Sequence, residues 1–172
     1  NNVFFRCSHL QYVSFKNTTK NVYIGNSIFN QCILLKKVIM DLNISSIKDN
    51  MFYNCKSLTK FEIPSSVKSI EARAFYGCSA LKQISIPSSV KSIGFNTFGE
   101  CLSLKQISIP DSVVSIGLYA FQRCSSLAEI KIPTSITEIC NNTFQECVSL
   151  IKIDIPNSVT SIGWNAFLKC IS

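Results

Sequence analysis

The chain has 172 residues, 47% of them apolar, which suffices for one domain with a substantial core over 1–172 and excludes a disordered polymer. No apolar run approaches the roughly 18 residues needed to cross a bilayer as a helix, so the chain reads as soluble. The formal net charge of +7 permits acidic proteins, nucleic acid or an anionic surface as partners.

In chain order the first landmark is an aromatic ring three residues before a cysteine, Phe4 before Cys7. The amino terminus here lacks the zones of a signal peptide, but it opens on Asn1 rather than Met, so a leader could have been removed. The same pair then returns along the whole chain. Cys32, Cys55, Cys78, Cys101, Cys124, Cys147 and Cys170 are each 23 residues from the next, preceded by Phe29, Phe52, Phe75, Phe98, Phe121, Phe144 and Phe167. A leucine follows three residues after the cysteine, from Leu10 to Leu150. A fixed period of this length is the signature of a solenoid.

After the leucine come two apolar residues separated by a polar one, as in Ile84 with Ile86 and Ile107 with Ile109, which predicts a short half-buried strand. Pro64, Pro87, Pro110, Pro133 and Pro156 end five of these strands, and the Ser, Asp, Thr or Asn after them suits a turn. An extended return follows, with apolar pairs such as Val90 and Ile93. A glycine then comes at Gly25, Gly94, Gly117 and Gly163, expected to supply a positive φ at a tight turn. From there to the cysteine, segments such as "FNTFGEC" predict a helical or 3₁₀ turn. One such unit cannot bury its apolar face alone, so neighbouring units must stack.

The pattern IPxSVxSIGxxAFxxCxSLxxI resembles the leucine-rich repeats of the BspA type and covers practically the whole chain. The resemblance implies an α/β leucine-rich repeat solenoid, a right-handed arc of about seven 23-residue repeats with a parallel β-sheet of seven strands on its concave face. Lys16 and Asp41 stand in place of the proline, and Glu71 and Cys140 in place of the glycine. Neither end carries an evident polar cap, so the end coils are expected to expose apolar surface through which copies of the chain could associate.

Eight of the nine cysteines fall in one inward column, which predicts a ladder of buried thiols rather than disulfides. Cys140, outside that column, is the candidate for an exposed, reactive thiol. No CxxC or HxxxH spacing is present, and the only histidine, His9, pairs with Cys7 too weakly in sequence to suggest a metal site or a nucleophile. The six glycines are scattered, so no phosphate-cradling loop exists. No catalytic residues, metal or cofactor are expected, and the chain does not read as an enzyme. Asn17 with Thr19, Asn43 with Ser45 and Asn141 with Thr143 form glycosylation sequons that matter only on a secreted chain.

With the constant positions in the core, recognition is assigned to the variable columns of the concave strands. Five residues after each cysteine stand Tyr12, Lys37, Lys60, Gln83, Gln106, Glu129 and Lys152; seven after it stand Ser14, Ile39, Glu62, Ser85, Ser108, Lys131 and Asp154. A flanking column, four after, includes Lys36, Lys82 and Lys105. The face is therefore basic over its first five repeats and balanced beyond them. The candidate protein-binding patch is Tyr12, Lys36, Lys37, Ile39, Lys60, Glu62, Lys82 and Lys105, because aromatic and apolar anchors flanked by charge concentrate interface energy. Nucleic acid is disfavoured by the absence of arginine and the single tyrosine on this face.

Two functional readings follow. One is a non-enzymatic cytoplasmic scaffold gripping another, acidic, protein through the concave sheet and regulating an enzyme, since leucine-rich repeat proteins of other types include regulatory subunits of phosphatases. The other, implied by the resemblance, is a surface or secreted adhesin.

Overall fold

The computed structural model of the chain describes residues 2–16 and 23–170. Alternating apolar residues form twelve short strands in it: β1 (Tyr12–Phe15), β2 (Lys37–Met40), β3 (Ser46–Ile47), β4 (Ser69–Ile70), β5 (Gln83–Ser85), β6 (Ser92–Ile93), β7 (Gln106–Ser108), β8 (Ser115–Ile116), β9 (Glu129–Lys131), β10 (Glu138–Ile139), β11 (Lys152–Asp154) and β12 (Ser161–Ile162). Every pairing is parallel, and partners are one repeat apart in most of the molecule, as Gln83 with Gln106 and Ile84 with Ile107. The result is a parallel β-solenoid of about six turns.

Three ladders hold successive coils together. The concave ladder comprises β1-β2 and β11-β9-β7-β5; the return limb comprises β3-β4-β6-β8 and β10-β12. Six strands, not the seven expected, make up the concave face. Residues 60–62 make only the bridge Glu62 to Ser85. The break coincides with Phe61, whose ring lies 4.7 Å from Phe52 and 5.7 Å from Phe75 where other coils place a branched aliphatic side chain.

The third ladder runs through the segment expected to be helical, and it explains why no helix is found among the described residues. Phe75 N–H donates to Thr97 O of the next coil and Gly77 N–H to Gly99 O, while the intervening Tyr76 N–H closes back on Arg73 O. Alternate donors are thus spent between coils, leaving no run of i→i−4 bonds from which to build a helix. The α/β expectation is therefore corrected to an all-β coil with turns on its convex side.

Positive φ falls in two columns, five and one residues before the cysteine, and not at the expected glycines. Asn50, Arg73, Asn96, Tyr119 and Asn142 occupy the first, and Asn54, Gly77, Glu100, Arg123 and Glu146 the second, with φ of 51–70°. Asparagine tolerates this region better than other side chains. Gly94 and Gly117 answer to close approach instead: a Cβ on Gly117 would meet the Gly94 carbonyl carbon at 2.7 Å and Phe95 N at 2.8 Å.

The core is three parallel columns. Phe29, Phe52, Phe75, Phe98, Phe121 and Phe144 are fully buried, with neighbouring rings stacked 5.2–5.5 Å apart in nearly parallel planes. Beside them each ladder thiol donates to the phenylalanine carbonyl of the preceding coil, as Cys101 Sγ to Phe75 O at 3.3 Å. The prolines begin turns closed by bonds such as Val90 N–H to Pro87 O, 3.0 Å. A recurrent serine two residues later, Ser66, Ser89, Ser112, Ser135 and Ser158, donates its hydroxyl to the preceding coil at 2.5–2.8 Å. In the last coil Ile151, Ile162 and Trp164 are exposed, as are Val3 and Tyr12 in the first.

Candidate functional site

Strand alternation turns the constant residues inward and the variable ones to the concave surface, where β5 shows the pattern exposed, buried, exposed. Stacked coils thereby build a groove of about 910 Å³. Its floor runs from Lys60 and Glu62 through Gln83, Ser85, Gln106 and Ser108 to Glu129, Lys131, Lys152 and Asp154.

Of the eight residues singled out from sequence, only Lys60 and Glu62 line this groove. They form an ion pair at 2.9 Å. The hydrogen bond from Lys60, its charge and then that of Lys37 hold the Glu62 carboxyl below the usual carboxylate range. Lys37 thus faces the same surface across the interrupted ladder. Tyr12 and Lys37 are direct partners in β1-β2, as are Ser14 and Ile39. Tyr12 and Ile39 are 53% and 38% exposed, enough to act as anchors. Lys36 donates its backbone N–H to Gln11 O at 2.9 Å and its ammonium to Gln11 Oε1 at 3.1 Å.

Lys82 and Lys105 lie outside the groove on one edge of the sheet, their N–H groups donating to Thr59 O and Lys82 O. Counting charge along the sequence passes over the uncharged middle of the groove, Gln83, Ser85, Gln106 and Ser108. The signal for them was the strand alternation itself. The six ionisable side chains of the floor balance, three lysines against three carboxylates, so the basic character belongs to the edge and to the β1-β2 end.

Glu100, Arg123, Glu146 and Lys169 form a separate alternating ladder one residue before each cysteine. Arg123 reaches Glu146 at 3.0 Å and Glu100 at 3.2 Å, and Lys169 meets Glu146 at 3.8 Å. Hydrogen bonding to Glu146, then its charge, raises the Arg123 pKa further above its ordinary value.

Burial raises the pKa of the ladder thiols from Cys32 to Cys170, to about 11 for Cys32 and about 12 for Cys147, so these are protonated and inert at neutral pH. Cys140 is half-buried rather than exposed; burial, then the Glu138 charge, suppress its thiolate. His9 Nδ1 lies 3.2 Å from Ser8 Oγ. Among the described residues no cluster of His, Cys, Asp or Glu could hold a metal ion, and no helix is long and apolar enough to cross a membrane. The Asn17 sequon lies outside the described residues. Asn43 and Asn141 are exposed, although Asn141 Oδ1 accepts the Trp164 N–H at 2.8 Å and Thr143 is buried.

The model of the BspA type leucine rich repeat region matches residues 1–107 and 45–172, with six copies. Among solved structures, the T. pallidum leucine-rich repeat protein TpLRR aligns with a TM-score of 0.87 at 27% identity, over 94% of this chain and 77% of its own. A leucine-rich repeat protein from Bacteroides ovatus follows with a TM-score of 0.56 at 27% identity, over 99% and 55%. One from Eubacterium ventriosum has a TM-score of 0.57 at 22% identity, over 92% and 57%, and supports the fold alone. The chain spans little more than half the length of the last two. No curated protein matches it.

Proposed function

The chain belongs to the BspA type leucine-rich repeat family, and from that premise we propose that it is a non-catalytic protein-interaction module that grips an acidic partner protein on its concave side. The supporting observation is the division of labour between columns: the constant Phe, Cys and Leu are buried, and the variable residues line an open groove. The proposed contact residues are Tyr12, Lys36, Lys37, Ile39, Lys60, Glu62, Lys82 and Lys105. Tyr12 and Ile39 supply apolar anchors and the lysines supply steering and register.

We further propose a cytoplasmic scaffold that regulates an enzyme, with the surface adhesin as the alternative. The exposed Asn43 sequon separates the two. Mass spectrometry of the native protein finding a glycan on Asn43 would exclude a purely cytosolic life. Association of copies through the apolar end coils belongs to the same proposal, supported by the exposure of Ile162 and Trp164, and sedimentation over a concentration series tests it.

The decisive variant is Lys37→Glu with Lys60→Glu. Affinity capture from the source cell should lose its partner by roughly two orders of magnitude in affinity, as reversal of paired interface charges does. Circular dichroism and melting temperature should stay nearly unchanged, because both side chains are exposed. Undiminished capture removes the concave patch from consideration.

A further inference from the structure

Positive charge is segregated on this molecule more sharply than the groove alone reveals. In the coils of Cys32, Cys55, Cys78 and Cys101, the five positions after the cysteine hold Lys36, Lys37, Lys56, Lys60, Lys82 and Lys105 and not one carboxylate. All six lysines are exposed. Glu62 is already engaged with Lys60, and Glu100 and Glu146 with Arg123. Among the described residues no carboxylate lies within ion-pair distance of the other five. Coils follow one another at about 4.8 Å, so Lys36, Lys56, Lys82 and Lys105 crowd into roughly 15 Å of one sheet edge, with Lys37 and the Glu62-paired Lys60 on the concave face beside them. Their mutual repulsion, screened in part by salt, falls further when an anionic surface arrives.

The character of that anion follows from what lies between the lysines. Ile33, Leu34 and Leu102 are 41%, 39% and 44% exposed on this same edge. A bare polyanion, whether polysaccharide or phosphate backbone, offers nothing to them. The edge also lacks arginine, and with it the planar fork that grips phosphate or sulfate through two bonds at once. Carboxylates set beside apolar side chains satisfy both features. An α-helix repeats a face every 5.4 Å, close to the spacing between coils.

We propose that this edge, beside the groove rather than in it, docks an acidic amphipathic segment of the partner protein, with carboxylates on the lysines and apolar side chains against Ile33, Leu34 and Leu102. The inference rests on the protein-interaction reading and adds the partner's chemistry and its line of contact. Three probes test it by fluorescence anisotropy at about 50 and 300 mM salt: a helical peptide of about 20 residues with glutamates beside a leucine stripe, poly-glutamate of equal charge, and heparin.

The amphipathic peptide should bind at least about tenfold tighter than poly-glutamate and weaken with salt. Lys56→Glu, Lys82→Glu and Lys105→Glu together should weaken it about 30-fold or more. Leu34→Ser with Leu102→Ser should bring it to the level of poly-glutamate, whose own binding stays unchanged, with circular dichroism reporting the fold of each variant. Heparin or poly-glutamate binding as tightly as the peptide would overturn the proposal, as would no binding by the folded wild type. Natural-partner capture lost in Lys37→Glu/Lys60→Glu but kept in the triple variant would reject the edge and leave the groove reading standing; capture kept in both would reject the two together.

Discussion

At Phe98 the ring is fully buried between Phe75 and Phe121, 5.5 Å from each. Phe98→Ala removes both stacks and leaves a cavity that rigid coils cannot close, so urea unfolding should report a loss of about 3–5 kcal/mol. The thiols beside the rings make a second prediction. Their pKa values are raised in the folded state, chiefly by burial and in Cys55, Cys78 and Cys124 also by neighbouring thiols. The folded state therefore favours the protonated form, and the stability this contributes is present below the unfolded pKa of about 8.5 and lost as pH rises toward the folded values. Each core thiol should contribute a downward slope of about 1.4 kcal/mol per pH unit above pH 9. With several acting together, a stability of about 5–15 kcal/mol should vanish within a unit or two, visible as a steep alkaline transition. Cys101→Ala should shallow that slope by about one thiol's share. The phenylalanine and cysteine columns were legible in the sequence because they recur with the period. The S–H to carbonyl bond was not, since it joins residues 26 apart through space.

At the scale of the element, the ladders decide which local preferences prevail. "FNTFGEC" carries no helix breaker strong enough to forbid a helical turn, yet inter-coil bonds from Asn96, Phe98 and Glu100 to Leu118, Ala120 and Gln122 claim its donors. Local reading could not anticipate this, because the competing acceptors lie a full repeat away. Glycine gives the same lesson in reverse. Gly117 recurs where φ is unremarkable, and its constraint comes from the backbone of the coil beneath. Gly117→Ala should therefore destabilise by about 1–3 kcal/mol, a cost of overpacking against backbone that cannot move aside, measurable by denaturant midpoint. The serine hydroxyls, Ser112 to Val90 O at 2.8 Å among them, give the return limb contacts additional to its two-residue strands.

For the whole molecule, contacts between neighbouring coils dominate, so stability should be nearly a sum over coils and their interfaces. Deleting residues 94–116, one full period, joins Ile93 to Gly117 in unchanged phase. The shortened chain should unfold cooperatively with a lower melting temperature and a denaturant slope reduced by roughly an eighth, in proportion to the surface removed. Deleting residues 94–113 instead joins Ile93 to Val114, sets the columns out of register and should abolish the cooperative transition. Net charge belongs to this scale too: the sequence sums to +7, but only stacking shows a neutral groove floor beside a basic edge. By itself the sequence determined the period, the inward columns and the absence of a free-standing repeat, because these depend on side-chain type at fixed spacing. Only the tertiary structure decided that the convex segment is turns rather than helix, that the glycines serve close approach, and which lysines border the groove without entering it. Each of those outcomes depends on what the adjacent coil places within a few ångströms, a distance that spacing along the chain does not encode.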